Sequence, residues 1–341
     1  MNNRGLTGLE NIGNTCYLNS SIQCLSNITT LTEYILNDEY AEDLKNKKKN
    51  NHIILTREYS KLIKPLWSSS TIIQPKSFHS YIQKFDEQFQ GYEHQDAQEL
   101  LAMILDYLHE GLKYEVIMEY EGVIENEDDE ITIEAHKNWN LVLKDKYSII
   151  VKLFFGQFIN KVVSMEENNK NKMISKTFEV FNMLNIPIHG KTLYDSLQIY
   201  FGKELLESKF YDEKNKIYIN AYRQIKLMKI PNFLILVLKR FTNGNGRLGK
   251  SNNLITFPIE KLDLSAYCEG YDKYDGLMRL ISIGCHSGSL NFGHYFSVCR
   301  HLNKKWYKYD DDKVDEFDIN ANKNMLFRDG YILIYEKLNA E

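Results

Sequence analysis

The sequence predicts an α+β fold in which helices come first and strands follow. Apolar residues in the first third recur at helical spacing between polar turn signals. From Pro231 onward, long apolar runs bounded by Gly, Asn and Asp read as strands. With 341 residues, 43% hydrophobic and 26% charged, the chain can bury one large core or two ordinary ones.

The first helix follows the turn-forming run Asn11-Ile12-Gly13-Asn14-Thr15. Leu18, Ile22 and Leu25 lie at i, i+4 and i+7 on one helix face, and Asn14 or Thr15 is a good N-cap. Cys16 then falls in the first turn, where unpaired N–H groups and the helix dipole favour a thiolate. The stretch leaves two readings open, a nucleophile or a buried structural cysteine. The basic run at 45–50 reads as a solvated loop. Residues 53–63 have helical spacing, with Pro65 expected to end that helix, and 78–89 is a second short helix. In Gly91-Tyr92-Glu93-His94-Gln95-Asp96-Ala97-Gln98-Glu99-Leu100, Asp96 and Glu99 have capping-box spacing. Leu101, Ile104, Leu105 and Leu108 form the buried stripe of the helix that follows, and from these residues alone Asp96 reads as its N-cap.

Residues 111–146 are weakly patterned, with 125–130 an acidic surface loop. The apolar run 148–156 reads as a strand, and 232–241 as a buried one. Residues 242–253, rich in Gly and Asn, read as a mobile loop. Strands are expected at 278–285, 293–300, 305–309 and 330–335, the second and third pairing as a hairpin across a turn at 302–304. No internal repeat is present.

The net charge of −4 gives no basic footprint for nucleic acid, and no apolar run reaches membrane-spanning length. The start lacks the apolar region of a signal peptide. Five scattered cysteines, Cys16, Cys24, Cys268, Cys285 and Cys299, suit reduced thiols of the cytosol or nucleus.

Peptide-bond cleavage by a thiol needs a thiolate, a base that also protonates the leaving amine, and donors for the oxyanion. His294 is the candidate base; Gly293 before it permits close approach of a backbone or substrate. Asp310 ends the strand expected to pair beside His294 and can hold the ring in one tautomer, although Asp310 to Asp312 also reads as a polar turn. A metal site from Cys285, His286, His294, Cys299 and His301 is disfavoured, because His294 and Cys299 point to opposite faces of one strand.

Three stretches carry a resemblance: residues 8–23 around Cys16, the Gln95-Asp96-Ala97-Gln98-Glu99 run, and Gly293-His294-Tyr295 with Trp306-Tyr307-Lys308-Tyr309-Asp310. They resemble the signatures of the ubiquitin-specific proteases, and Leu238-Lys239-Arg240-Phe241 resembles a further segment of that family. The resemblance implies a papain-like thumb, palm and fingers in one catalytic domain over 1–341, with the thumb at about 1–112 and fingers and palm at about 113–341, the fingers at about 155–230. It implies Cys16 as nucleophile, His294 as base, Asp310 as third residue, Asp311 as an assisting polar group and Asn11 as oxyanion donor. It places Asp96, Gln95, Gly293 and Tyr295 along the ubiquitin tail, with loops at 242–253 and 284–292 over it. The family's fingers usually carry two Cys-x-x-Cys pairs for zinc. Here Val163-Ser164-Met165-Glu166 and Glu213-Lys214-Asn215-Lys216 stand near those places, so no metal and no cofactor is expected.

The implied activity is hydrolysis of the (iso)peptide bond after the C-terminal Gly of ubiquitin through a thioester. A ubiquitin-binding module without catalysis, or a thiol protease for a related modifier, are the alternatives. The expected partners are ubiquitin and ubiquitinated proteins, with no nucleic acid and no membrane, for a monomer of the cytoplasm or nucleus. The cysteine stretch begins almost at the start and the last strand ends almost at the finish, so no separate targeting domain is expected.

Overall fold

The computed structural model describes residues 4–338 apart from 120–121, 167–171, 245–246 and 290–291. Its first part is a helical lobe: α1 (Cys16–Ser26), α2 (Thr29–Leu36), α3 (Glu39–Asp43), α4 (Asn51–Ser68), α5 (Lys76–Phe85) and α6 (Ala97–Leu112). The spacing of Leu18, Ile22 and Leu25 predicts one buried face for α1, but every residue of α1 is buried. The helix carries polar side chains all round, and they bond to whatever surrounds it. Ser20 Oγ donates to the Phe296 carbonyl (3.1 Å), Ser21 Oγ to Ala97 (3.2 Å) and Gln23 Nε2 to Thr7 (2.8 Å). Ser26 Oγ accepts from Trp67 Nε1 (2.8 Å). This satisfies groups whose burial is otherwise costly.

Four sequence expectations change here. Pro65 lies inside α4 and does not end it, because Leu66 and Trp67 continue the buried face. The basic run is not wholly solvated: half-buried Lys47 donates to the carbonyls of Gly111 and Lys113, capping the C-terminus of α6. The acidic segment opens a 17-residue helix, α7 (Glu127–Leu143), through a capping box of Asn126 and Asp129. Acidic residues suit that end of a helix, and Ala135, Trp139 and Leu143, four apart, supply its buried side. The run read as a strand at 148–156 is instead α8 (Ile149–Phe154), started by Ser148 accepting from the Val151 N–H. The stripe Leu101, Ile104, Leu105 and Leu108 is buried as expected.

The chain then turns to strands: β1 (Gly156–Ser164), β2 (Met173–Phe181), β3 (Leu184–Ile186), the short helix α9 (Leu193–Tyr200), β4 (Lys203–Leu205), β5 (Phe210–Asp212), β6 (Ile217–Ile219) and β7 (Ala221–Lys229). After these come β8 (Phe233–Leu238), β9 (Phe241–Gly244), β10 (Arg247–Lys250), β11 (Leu262–Asp263), β12 (Leu277–Gly288), β13 (Gly293–Arg300), β14 (Trp306–Asp310) and β15 (Lys313–Glu316). The chain closes with α10 (Lys323–Asp329) and β16 (Gly330–Lys337). An eight-stranded sheet runs β15-β14-β13-β12-β16-β8-β3, with β11 beside β12; its pairs are antiparallel except β3 with β8. Phe233, Ile235 and Val237 of β8 join the core under the helical lobe, while Leu234, Leu236 and Leu238 join a second core on the other face. Burial on both faces is why this stretch is apolar without alternation. Residues 242–253, read as a loop, include most of the hairpin β9–β10, and the stretch at 284–292 is strand as far as Gly288.

A second, four-stranded antiparallel sheet has the order β2-β1-β7-β4, and β5–β6 form a separate hairpin. No thiol exists between Cys24 and Cys268. Glu166 Oε1 accepts from the backbone N–H (2.8 Å) and side-chain amide (3.2 Å) of Asn220, and Asp212 accepts from the N–H groups of Lys214 and Asn215. These residues do not fit a structural zinc, which needs thiolates or imidazoles free of such bonds.

Arg240 explains the Leu-Lys-Arg-Phe segment in physical terms. It is fully buried and donates to four carbonyls, those of Gly330 (2.6 Å), Ser251 (3.3 Å), Asn253 (2.9 Å) and Phe327 (2.7 Å). It pins the segment after β10 and the end of α10 to the start of β16. Burial lowers its pKa to about 10, so it remains charged at neutral pH. Arg240→Met leaves those carbonyls without their charged donor. We expect a loss of about 3 kcal/mol or more in unfolding free energy by chemical denaturation, and a loss below about 1 kcal/mol would contradict this role.

Candidate active site

Cys16 is the first residue of α1 and is 3% exposed. The loop before it needs left-handed backbone at Gly13 (φ 118°) and Asn14 (φ 50°), which glycine and asparagine tolerate. Asn11 holds the loop: its Oδ1 accepts from the N–H groups of Gly13 (3.2 Å) and Thr15 (3.1 Å). Asn14 Nδ2 donates to the Tyr92 carbonyl (2.8 Å), joining the loop to the segment before α6. Thr15 occupies the N-cap position without capping, because its hydroxyl accepts from the Ile12 N–H (3.0 Å). The α1 N-terminus therefore has no side-chain cap, leaving its positive end to a thiolate or an oxyanion.

The other half of the site lies on the hairpin β13–β14. His294 Nε2 and Asp310 Oδ1 are 2.6 Å apart, and the Cys16 thiol is the neighbour that acts most strongly on the ring's protonation. Since Nε2 is taken by Asp310, Nδ1 is the ring nitrogen left to serve the thiol. The His294 pKa rises to about 9: interaction with the Cys16 thiol is the main cause, burial opposes it, and Asp310 adds to the rise. Burial works against the Asp310 charge, yet hydrogen bonds from Lys308 and His294 hold its carboxyl below the usual range. Lys308 Nζ lies 2.6 Å from Asp310 Oδ2.

Asp311 has left-handed backbone (φ 52°) and bonds back to the helical lobe. Its Oδ1 accepts from Asn19 Nδ2 (2.8 Å), its Oδ2 from Asn11 Nδ2 (2.9 Å), and its carbonyl from the Leu9 N–H (2.9 Å). Asn11 thus has its oxygen turned to the loop and one amide hydrogen to Asp311, with the second amide hydrogen outside these two bonds. His294, Asp310 and Asp311 present ligand atoms within 4.8 Å of one another. Each of those carboxylate oxygens already faces a donor, and the Lys308 ammonium disfavours a cation there.

Asp96 caps α6 through Oδ1, which accepts from the Gln98 N–H (2.8 Å), and both its oxygens accept from Tyr331 Oη on β16 (2.9 and 2.8 Å). It bridges the lobe and the sheet as well as starting a helix. Burial raises its pKa, while the bonds from Gln98 and Tyr331 oppose the rise. Gln95 is half-buried beside it. The close approach that Gly293 allows is taken by the protein itself: a Cβ there would lie 1.9 Å from His286 Nε2. Tyr295 is buried, its ring 4.5 Å from that of His286, so it is packed into the core and not open to a bound peptide.

Lys308, Asn19 and Tyr331 escape the reading of the sequence. Two of them left a signal: Lys308 shares a strand face with Asp310, and Asn19 lies one turn beyond Cys16. Tyr331 left none, since its contact with Asp96 is purely tertiary.

A cysteine at a helix start, with a histidine–aspartate pair on the sheet beside it, is the residue set that papain-like thiol hydrolases use. The chain belongs to the ubiquitin carboxyl-terminal hydrolase family, whose model matches residues 7–335. It is 31% identical over 350 residues to ubiquitin carboxyl-terminal hydrolase 2 of Homo sapiens, covering 98% of this chain and 55% of that protein. It is 28% identical over 344 residues to ubiquitin carboxyl-terminal hydrolase Usp2 of Drosophila melanogaster, covering 98% and 35%. The chain spans about half the length, or less, of these curated relatives. Its fold is similar to a solved chain of the SAGA Ubp8/Sgf11/Sus1/Sgf73 DUB module bound to ubiquitin aldehyde, with TM-score 0.76 and 24% identity over 99% of this chain and 70% of that one.

The raised His294 pKa fixes a sign. The folded chain keeps a proton that an unfolded histidine releases near 6.5, so this contribution to stability is complete below about pH 6.5 and lost as pH rises through about 9. Cys16→Ser removes the largest cause of the shift. We expect the His294 ring titration, followed by NMR, to move to lower pH in this variant; an unchanged midpoint would show that thiol and ring are not coupled.

Proposed function

We propose that this chain is a cysteine-type deubiquitinase that hydrolyses the (iso)peptide bond after the C-terminal Gly of ubiquitin. The reading rests on the His294–Asp310 hydrogen bond and the influence of the Cys16 thiol on that imidazole, together with the family match. The helical lobe serves as thumb, the eight-stranded sheet as palm and the four-stranded sheet as fingers. The ubiquitin tail enters the seam where Asp96 joins lobe to sheet, with Gln95 beside it.

Cys16 Sγ, as the thiolate paired with the His294 imidazolium, attacks the carbonyl carbon of the terminal Gly. The negative charge passes to the carbonyl oxygen, which meets the second Asn11 Nδ2 hydrogen and the Cys16 N–H. As the C–N bond breaks, His294 gives its proton to the leaving amine, and a thioester remains. His294 then takes a proton from water, whose oxygen attacks the thioester and releases ubiquitin with a free carboxylate. Asp310 holds the ring in the tautomer that serves both steps, and Asp311 keeps Asn11 aimed. The chain acts as a monomer, and its five free thiols suit the reducing cytoplasm or nucleus.

Hydrolysis of a ubiquitin C-terminal fluorogenic amide tests this reading. Wild type turns over, and Asn11→Ala lowers kcat by about 10²–10³-fold while the Kd for ubiquitin stays nearly unchanged. Equal loss of rate and affinity would remove Asn11 from the oxyanion role, and a wild type without hydrolysis would overturn the proposal.

A further inference from the structure

Lys308 lies behind the reacting groups, on the same hairpin face. The register Ser297↔Tyr309 and Val298↔Lys308 puts His294, Phe296, Lys308 and Asp310 on one side of β13–β14. Lys308 Nζ is 2.6 Å from Asp310 Oδ2 and 4.4 Å from the centre of the Phe296 ring, so it is held from two sides. We infer that Lys308 is a positioning residue, which turns the Asp310 carboxylate so that Oδ1 faces His294 Nε2. The inference rests on the catalytic roles proposed above for His294 and Asp310.

The carboxylate torsion of an aspartate is broad, and one hydrogen bond leaves it free to swing. Two bonds on opposite oxygens fix its plane. The other charged groups do not replace Lys308: Asp311 gives its oxygens to Asn19 and Asn11, Lys313 lies opposite Asp310 in the ladder but is exposed, and Cys16 meets the far side of the ring. Lys308 is also the foremost group keeping Asp310 ionised against its burial. The pair is about a third exposed on each side, so it adds little to stability, whereas a small misplacement of a reacting group is costly in rate.

The test compares Lys308→Met, Lys308→Arg and Lys305→Met, the last breaking an exposed pair with Glu316 on the same hairpin. Two readouts are used: the Asp310 carboxyl titration by ¹³C NMR, which needs no substrate, and kcat and KM on the ubiquitin amide across pH. In Lys308→Met we expect the Asp310 midpoint to rise, so activity is lost at a higher pH on the acid side. We expect kcat to fall about 10-fold with KM within about twofold. Lys308→Arg restores most of the rate, and Lys305→Met behaves as wild type. An unchanged Asp310 midpoint and kcat in Lys308→Met, or an equal loss in Lys305→Met, would overturn the inference. If wild type fails to hydrolyse the amide while the Asp310 midpoint still responds to Lys308, the ubiquitin reading falls and the positioning role stands.

Discussion

Everything in this molecule depends on the burial of α1 against β13. The helix is enclosed on all sides and carries the thiol at its start, and β13 carries the imidazole. Ser20 donates across this seam to the Phe296 carbonyl, two residues beyond His294. That bond and the apolar contacts of Cys16, Tyr295 and Cys299 in one core bring together groups far apart in sequence. The enclosing bonds run from side chains of α1 to backbone carbonyls and to side chains around it, which fixes the helix in rotation as well as in place.

Lobe and sheet are tied together by two carboxylates that each do two tasks. Asp96 starts α6 and accepts from Tyr331 of the sheet. Asp311 ends the β14 turn and accepts from Asn11 and Asn19 of the lobe. Each satisfies its own burial with donors from the opposite side, so lobe and sheet are joined where the chemistry occurs. Asp310, next to Asp311, has one oxygen for His294 and one for Lys308.

Much of this was legible in the sequence where local pattern and tertiary role coincide. The β13–β14 hairpin, the buried stripe of α6 and the place of Cys16 at a helix start follow from periodicity and turn chemistry. The strand reading at 148–156 failed because a six-residue apolar run carries no period of its own, and the Ser148 cap decided for helix. The α7 helix was hidden by its acidic start, which reads as a loop until the Asn126–Asp129 cap is noticed. Residues 242–253 showed that Gly and Asn mark a tight hairpin as readily as a mobile loop. In the site, residue types were readable but their partners were not. Asn11 serves as both turn residue and amide donor, and the space beside Gly293 belongs to His286.

The central claim is that Cys16 is a nucleophile aimed at the C-terminus of ubiquitin. Its most direct test is incubation of wild type and Cys16→Ala with ubiquitin bearing a thiol-reactive group at its C-terminus, followed by intact mass and peptide mapping. The account predicts one ubiquitin per chain on Cys16 in wild type and none in Cys16→Ala. Wild type that binds ubiquitin without reacting, or that reacts at another cysteine, would contradict it.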